Sequence, residues 1–197
     1  AALYADGDFL NPATIDAFEA YARYCFEEFP EVANWFTFNE IAAATINRYV
    51  EGTWPLGKKV CLHECLQAQH NMMLAHARAV LAFEECGHPG KIGVIHALEY
   101  KYPYDPRSAA DIEAAANDDV LQNRLLLDAT FRGDYAPDTL ARIEALCAVS
   151  GGTFRAPEGD LAIMRRAAQL NDCMGINYYQ SRFLKAYDGE NDLHHNG

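Results

Sequence analysis

The run Asn34-Trp35-Phe36-Thr37-Phe38-Asn39-Glu40 sets four aromatic or β-branched residues between polar ends. A short run of that kind reads as a buried strand, Asn34 to Asn39. Before it, Ile15, Phe18, Ala22, Cys25, Phe26 and Phe29 recur at helical spacing. Asn11 is the expected N-cap, Pro12 the first helical position and Pro30 the stop, so a helix is predicted from about Pro12 to Phe29. After Glu40 the sequence predicts a loop marked by Gly52, Pro55 and Gly57. A long Leu-, Ala- and Met-rich helix then runs from about Lys59 to Cys86, closed by Gly87 and Pro89.

Further along, Lys91 to Leu98 is a second strand, and Tyr102-Pro103-Tyr104-Asp105-Pro106 a loop. Helices follow at about Ala109 to Phe131, with a break near Asp128, at Pro137 to Val149, and at about Glu158 to Gln169. A third strand spans Cys173 to Tyr179, ahead of a polar tail. Strands alternating with long helices imply right-handed crossovers and a parallel α/β sheet. Three strands fit either a small open sheet or a piece of a barrel, which needs eight.

Of the 197 residues, 50% are apolar and 22% charged, enough for one substantial core and too few charges for disorder. The balance of 16 basic and 28 acidic residues gives a formal charge of −12. That charge repels phosphate backbones and anionic membrane surfaces, so neither nucleic acid nor membrane is an expected partner. No apolar run approaches the roughly 18 residues of a membrane span, and the first residues do not resemble a signal peptide. Cys25, Cys61, Cys65, Cys86, Cys147 and Cys173 are scattered, which fits free, mostly buried thiols and a cytoplasmic chain. No Gly-rich phosphate loop and no Gly-x-Ser-x-Gly elbow occurs, and no cofactor is expected.

In parallel α/β folds, reactive side chains lie at the carboxyl ends of strands. That rule selects Asn39-Glu40, the neighbourhood of His96 and Glu99, and Asn177-Tyr178-Tyr179. A glutamate ending an apolar strand loses part of its solvation, which suits a general acid, and an adjacent asparagine suits a sugar hydroxyl. The bland alternative is a loop carboxylate capping the next segment. Glu99 is the rival second carboxylate, because neighbouring strands lie about 4.8 Å apart and a retaining glycosidase pair about 5–5.5 Å. Beside Lys101, however, it reads as a solvated loop residue. Cys61, His63, Cys65, His70, Cys86 and His88 lack the spacing of a zinc knuckle, so no metal site is expected. His70, Asn71 and His76 read as core residues with satisfied side chains. His194-His195 reads as solvated.

Four runs in order resemble glycoside hydrolase family one, the β-glucosidase-like barrel enzymes. They are Trp35-x-Thr37-Phe38-Asn39-Glu40, Gly52-x-x-Pro55-x-Gly57, His70-Asn71 through Val80, and Gly175-Ile176-Asn177-Tyr178-Tyr179-x-Ser181. Ile41 resembles the enzymes acting on phosphorylated sugars, and His96-Ala97-Leu98, Lys101 to Pro106, Leu127 to Thr130, Asp188-Gly189-Glu190 and His195-Asn196-Gly197 resemble the branch that acts on 6-phosphorylated β-galactosides. Enzymes on 6-phospho-β-glucosides or plain β-glucosides are the alternatives. The resemblance implies a partial (β/α)8 barrel, about helix three through strand six, with residues 1–197 a single incomplete domain. It implies retaining hydrolysis of a phosphorylated disaccharide such as lactose 6-phosphate, without a cofactor. Glu40 would be the catalytic acid/base, Asn39 the partner of the sugar 2-hydroxyl, Asn177 part of the mouth near the leaving group, and Tyr179 the residue that orients the nucleophile.

Three departures qualify the resemblance. The family's nucleophile lies in a Thr-Glu-Asn-Gly run, and no such run occurs in these residues. Leu56 stands where a second proline is usual, and Glu99 also replaces a usual proline, which argues against Glu99 being catalytic. An open barrel segment leaves strand edges and apolar faces uncovered, so the isolated chain is expected to be inactive and marginally stable or aggregation-prone. A non-catalytic α/β assembly piece that needs a complementary chain is the reading from another class, and a zinc-binding module is a third.

Overall fold

The computed structural model describes residues 6–187. A turn of 3-10 helix at Asp8–Leu10 leads into α1, Pro12–Glu28, whose N-cap Asn11 accepts a hydrogen bond from the Ala13 amide. Strand β1, Asn34–Asn39, packs on α1 through aromatic rings. Phe26 meets Trp35 edge-on at 5.1 Å, and Phe18 stacks on Phe38 at 4.4 Å. Such pairs add about 0.5–1.5 kcal/mol each beyond simple burial.

The segment after Glu40 opens with a helix where a loop was expected. Ile41–Tyr49 forms α2, burying Ile41, Ala42, Thr45, Ile46 and Tyr49 at helical spacing. It has no side-chain N-cap bond, so its usual sequence signal is missing. The long helix α3 spans Leu62–Glu85 and is the centre of the core; Met73, Ala75, Ala79 and Val80 on it are buried. Strand β2, Lys91–Ala97, follows.

Residues 101–103, expected as loop, form the short strand β3, Lys101–Pro103. Then come α4, Ala109–Asp119, a widened π-helical turn at Val120–Arg124, and α5, Leu125–Arg132. The interruption falls at that turn, ahead of the expected break near Asp128, and the chain stays helical through Asp128. Helices α6, Pro137–Val149, and α7, Glu158–Ala168, precede β4, Cys173–Asn177. A fifth strand, β5, Arg182–Leu184, pairs with β3 in parallel. Its partner lies about eighty residues earlier, which sequence periodicity does not reveal.

The main sheet has order β1-β2-β4, all parallel. Gly93 faces Cys173 across β2 and β4, where an added Cβ would lie 2.2 Å from the Cys173 carbonyl oxygen. Only glycine admits that approach. One face of the sheet is sealed by helices, with Ile92 and Val94 buried; Phe36 and Ile176 remain 46% and 59% exposed. The cysteines among the described residues are free, and only Cys65 and Cys147 are fully buried, the other four being partly exposed. Asp188-Gly189-Glu190, His194-His195 and His195-Asn196-Gly197 lie outside the described residues.

Candidate active site

Strand β1 delivers Glu40 to the carboxyl end of the sheet. The Glu40 amide donates to the Ile95 carbonyl at 2.9 Å, and its own carbonyl accepts from Ala44 at 3.0 Å, so one residue joins strand to helix. Its backbone is left-handed, with φ 57° and ψ 56°. A non-glycine residue held there costs on the order of 1–3 kcal/mol, and such strain gathers at functional sites. The side chain is half-buried.

Strand β4 brings the other residues. Asn177 pairs in register with Ala97, and the Leu98 amide donates to the Asn177 carbonyl at 2.9 Å. Asn177 Nδ2 donates to Glu40 Oε1 at 2.7 Å and to Asn39 Oδ1 at 3.1 Å. Tyr179 Oη donates to the same Glu40 oxygen at 2.6 Å. That bond to Glu40 holds the Tyr179 phenol above its ordinary pKa. Asn39, Glu40, Asn177 and Tyr179 thus form one hydrogen-bonded group. Within these residues the Tyr179 hydroxyl engages Glu40, where the resemblance had it orienting a nucleophile.

A cleft of about 130 Å³ opens beside Glu40, with Asn47, Glu51, Gln122, Tyr179 and Arg182 in its walls. Glu99 and Lys101 also line it. Glu99 is only 8% exposed, which corrects its reading as a solvated loop residue. Its carboxylate meets Lys101 Nζ at 2.7 Å and Arg182 Nε at 2.9 Å, and accepts from Gln180 Nε2 at 3.0 Å. Burial pushes the Glu99 carboxyl up, but these three partners outweigh it and hold it below the ordinary value. Lys101 also reaches Asp118 at 2.6 Å. The two-residue spacing of Glu99 and Lys101, just ahead of and at the start of β3, was a signal for a shared face, one that Tyr102-Pro103 obscured.

The π-helical turn aims two consecutive side chains at the end of β2. Gln122 Nε2 donates to the Ala97 carbonyl at 2.9 Å. Asn123 accepts from the Glu99 amide at 3.1 Å and donates to the Glu99 carbonyl at 2.7 Å. An α-helix would spread neighbouring residues by 100°, so the widened turn supports the rim.

His70 and His76 stand on α3, and His96 on β2 turns toward the helical layer. His96 Nε2 lies 2.9 Å from Thr130 Oγ1, and burial pushes its pKa down to about 4. His76 Nδ1 lies 2.8 Å from Thr37 Oγ1; burial first, then repulsion from His96, pushes it down to about 3. His70 Nδ1 pairs with the Tyr135 hydroxyl at 2.7 Å, while its Nε2, 3.5 Å from Asp160, has no hydrogen bond. Asn71 Nδ2 donates to the Phe9 carbonyl at 2.6 Å. Among the described residues, no three His, Cys, Asp or Glu side chains gather as a metal site.

Comparison with known proteins identifies the family. The family model described as glycosyl hydrolase family 1 matches residues 1–196. A 6-phospho-beta-galactosidase from Staphylococcus aureus (strain MRSA252) is 47% identical over 194 residues, 98% of this chain and 41% of the relative. One from Streptococcus equi subsp. zooepidemicus is 47% identical over 196 residues, covering 100% and 42%. The chain therefore spans about two fifths of the length of these curated relatives. Among solved structures, a beta-glucosidase from Exiguobacterium marinum superposes with TM-score 0.81 at 30% identity, over 96% of this chain and 42% of that one. The psychrophilic beta-glucosidase BglU from Micrococcus antarcticus gives 0.80 at 32% identity, over 92% and 37%. The parallel sheet and its helices are accordingly a segment of a (β/α)8 barrel. Matched by the family model over all but its last residue, the chain belongs to glycosyl hydrolase family 1.

Proposed function

We propose that this chain is the acid/base-bearing part of a retaining glycosidase acting on 6-phospho-β-D-galactosides, lactose 6-phosphate among them. The observation that carries the proposal is the convergence of Asn177 and Tyr179 on one oxygen of the strand-end carboxylate Glu40. When the group is protonated, the two hydrogen bonds accepted by Oε1 leave Oε2 to carry the proton. That leaves Oε2 as the oxygen that protonates the departing glycosidic oxygen and later deprotonates water. Asn39, tied to Asn177, is the partner for the sugar hydroxyl beside the reacting carbon. The nucleophile is supplied from outside these 197 residues, so the chain by itself is expected to be inactive.

The phosphorylated substrate is supported by the relatives' names and by 47% identity across the chain. A 6-phospho-β-glucoside or plain β-glucoside is the second reading, supported by the beta-glucosidases among the structural neighbours. A sugar phosphate does not cross a bilayer unaided, which fits a cytoplasmic enzyme of lactose catabolism. No helix among the described residues is long and apolar enough to cross a membrane.

The test places Glu40→Gln in a protein that also carries the nucleophilic glutamate of a Thr-Glu-Asn-Gly run. Cleavage of 6-phospho-β-galactosides with poor leaving groups should fall steeply, and that of nitrophenyl 6-phospho-galactoside much less. Equal loss across leaving groups would remove Glu40 from the acid role. Equal cleavage of nitrophenyl galactoside with and without the 6-phosphate would remove the phosphorylated substrate.

A further inference from the structure

We propose that Glu51 and Arg182 are specificity-determining residues: in the cleft beside Glu40 they select a polyhydroxylated leaving group, the departing sugar. The inference rests on Glu40 as the acid, and its test compares leaving groups on one glycone so that the two readings can fail separately.

The walls of that cleft include Glu40 but neither Asn39 nor Asn177. It therefore leads away from the side on which Asn39 is the partner for the sugar hydroxyl. A glycosidic bond straddles the acid that protonates it, so the group on this far side is the one that departs.

Most polar groups of the cleft are already committed. Lys101 is held by Glu99 and Asp118. Asn47 donates to the Ala43 carbonyl at 2.8 Å and accepts from Thr53 Oγ1 at 2.6 Å. Gln122 Nε2 is held by the Ala97 carbonyl. Two groups are left. Arg182 gives its Nε to Glu99, while its terminal nitrogens have no partner among the described residues and its side chain is 39% exposed. Glu51 stands two residues past the end of α2, half-buried, and its carboxylate has no partner among the described residues either.

These opposite charges line one cleft and do not bridge each other. A group that engages both must accept from a guanidinium and donate to a carboxylate. Adjacent hydroxyls of a sugar do both. An anionic leaving group would be repelled by Glu51 and a cationic one by Arg182. An apolar one would displace water from both without replacing its hydrogen bonds.

The experiment uses a full-length protein that carries this chain together with the nucleophilic glutamate. Two 6-phospho-β-galactosides are compared. Lactose 6-phosphate releases glucose; the cyclohexyl compound releases a six-membered ring that lacks the further hydroxyls. Both leaving groups are poor and need the acid, so damage to Glu40 lowers both. In Glu51→Ala and in Arg182→Met, the ratio of kcat/KM for lactose 6-phosphate to that for the cyclohexyl compound should fall about 10- to 100-fold, the range set by hydrogen bonds to charged groups. An unchanged ratio in either folded variant would overturn the proposal. Arg182→Met also deprives Glu99 of a partner; should it fail to fold, Glu51→Ala, which breaks no side-chain contact among the described residues, decides alone. If the wild-type protein cleaves another glycone, the glucosyl and cyclohexyl leaving groups are compared on that glycone, which separates this inference from the phosphorylated substrate. The leaving-group series on Glu40→Gln tests the acid by itself.

Discussion

The helical layer and the strand-end rim both bury ionisable groups, and they treat them in opposite ways. In the layer, His76 and His96 have one hydroxyl neighbour each and no carboxylate, so burial keeps them neutral. On the rim, Glu99 is comparably enclosed but has two cations and an amide within reach, so it stays ionised. Burial decides how costly a charge is; the partners decide whether it is kept. The sheet's carboxyl end is where chain segments distant in sequence arrive to supply such partners.

The sharpest way to break the comparison is at Glu40. In a protein carrying the nucleophile, Glu40→Gln should lower kcat/KM for poor leaving groups by about 10²–10⁴-fold, the range of a general acid. Steady-state kinetics across a leaving-group series checks this. Next, Lys101→Met would strand Glu99 and Asp118 without their shared cation. Breaking a buried pair from one side costs about 3–5 kcal/mol, to be read from urea unfolding. A loss below 1 kcal/mol would show that the rim is more solvated than its 8% exposed Lys101 implies.

The layer predicts a pH effect of the same sign as the rim's that sets in at higher pH. The folded pKa values of His76 and His96, about 3 and about 4, lie below the unfolded value of about 6.5. Their contribution to stability is fully present above that unfolded value and is lost as pH falls toward 4 and 3. Each histidine should cost up to about 1.4 kcal/mol per pH unit in that window. Glu99, with its pKa depressed, contributes above its unfolded value and loses its contribution only at more acid pH. Between pH 7 and 5, His76→Gln should therefore flatten the stability curve, while Glu99→Gln should leave its slope unchanged. Urea midpoints across that range decide it. The smallest effect is at the start of α1: Asn11→Ala removes the bond to the Ala13 amide and should cost about 1 kcal/mol in the same assay.

Legibility followed the range of the interactions. The bounds of strand β1 and, closely, of helix α6 were readable, because an aromatic run and a Pro137 start are local signals, but β1 is partly exposed along its length where a buried strand was expected. Helix α2 was missed, although Ile41, Ala42, Thr45, Ile46 and Tyr49 carry a helical stripe, because Glu40 precedes it in a left-handed conformation without a capping bond. Glu99 was misread because Arg182 and Gln180, which keep it charged, lie more than eighty residues away. The π-helical turn leaves no composition signature; it exists because Gln122 and Asn123 both find partners at the end of β2.

The sequence by itself determined the alternation of strands and helices, the candidates Asn39, Glu40, Asn177 and Tyr179, and the family pattern they belong to. Those depend on spacing within one turn or one strand and on residue identity. The tertiary structure alone decided that Asn177 and Tyr179 share an oxygen of Glu40 across 137 and 139 residues of chain. It also decided that Tyr179 turns to Glu40 and that Glu99 keeps its charge. Each of these follows from the register of β1, β2 and β4, which puts distant strand ends at one height, and no local pattern specifies that height.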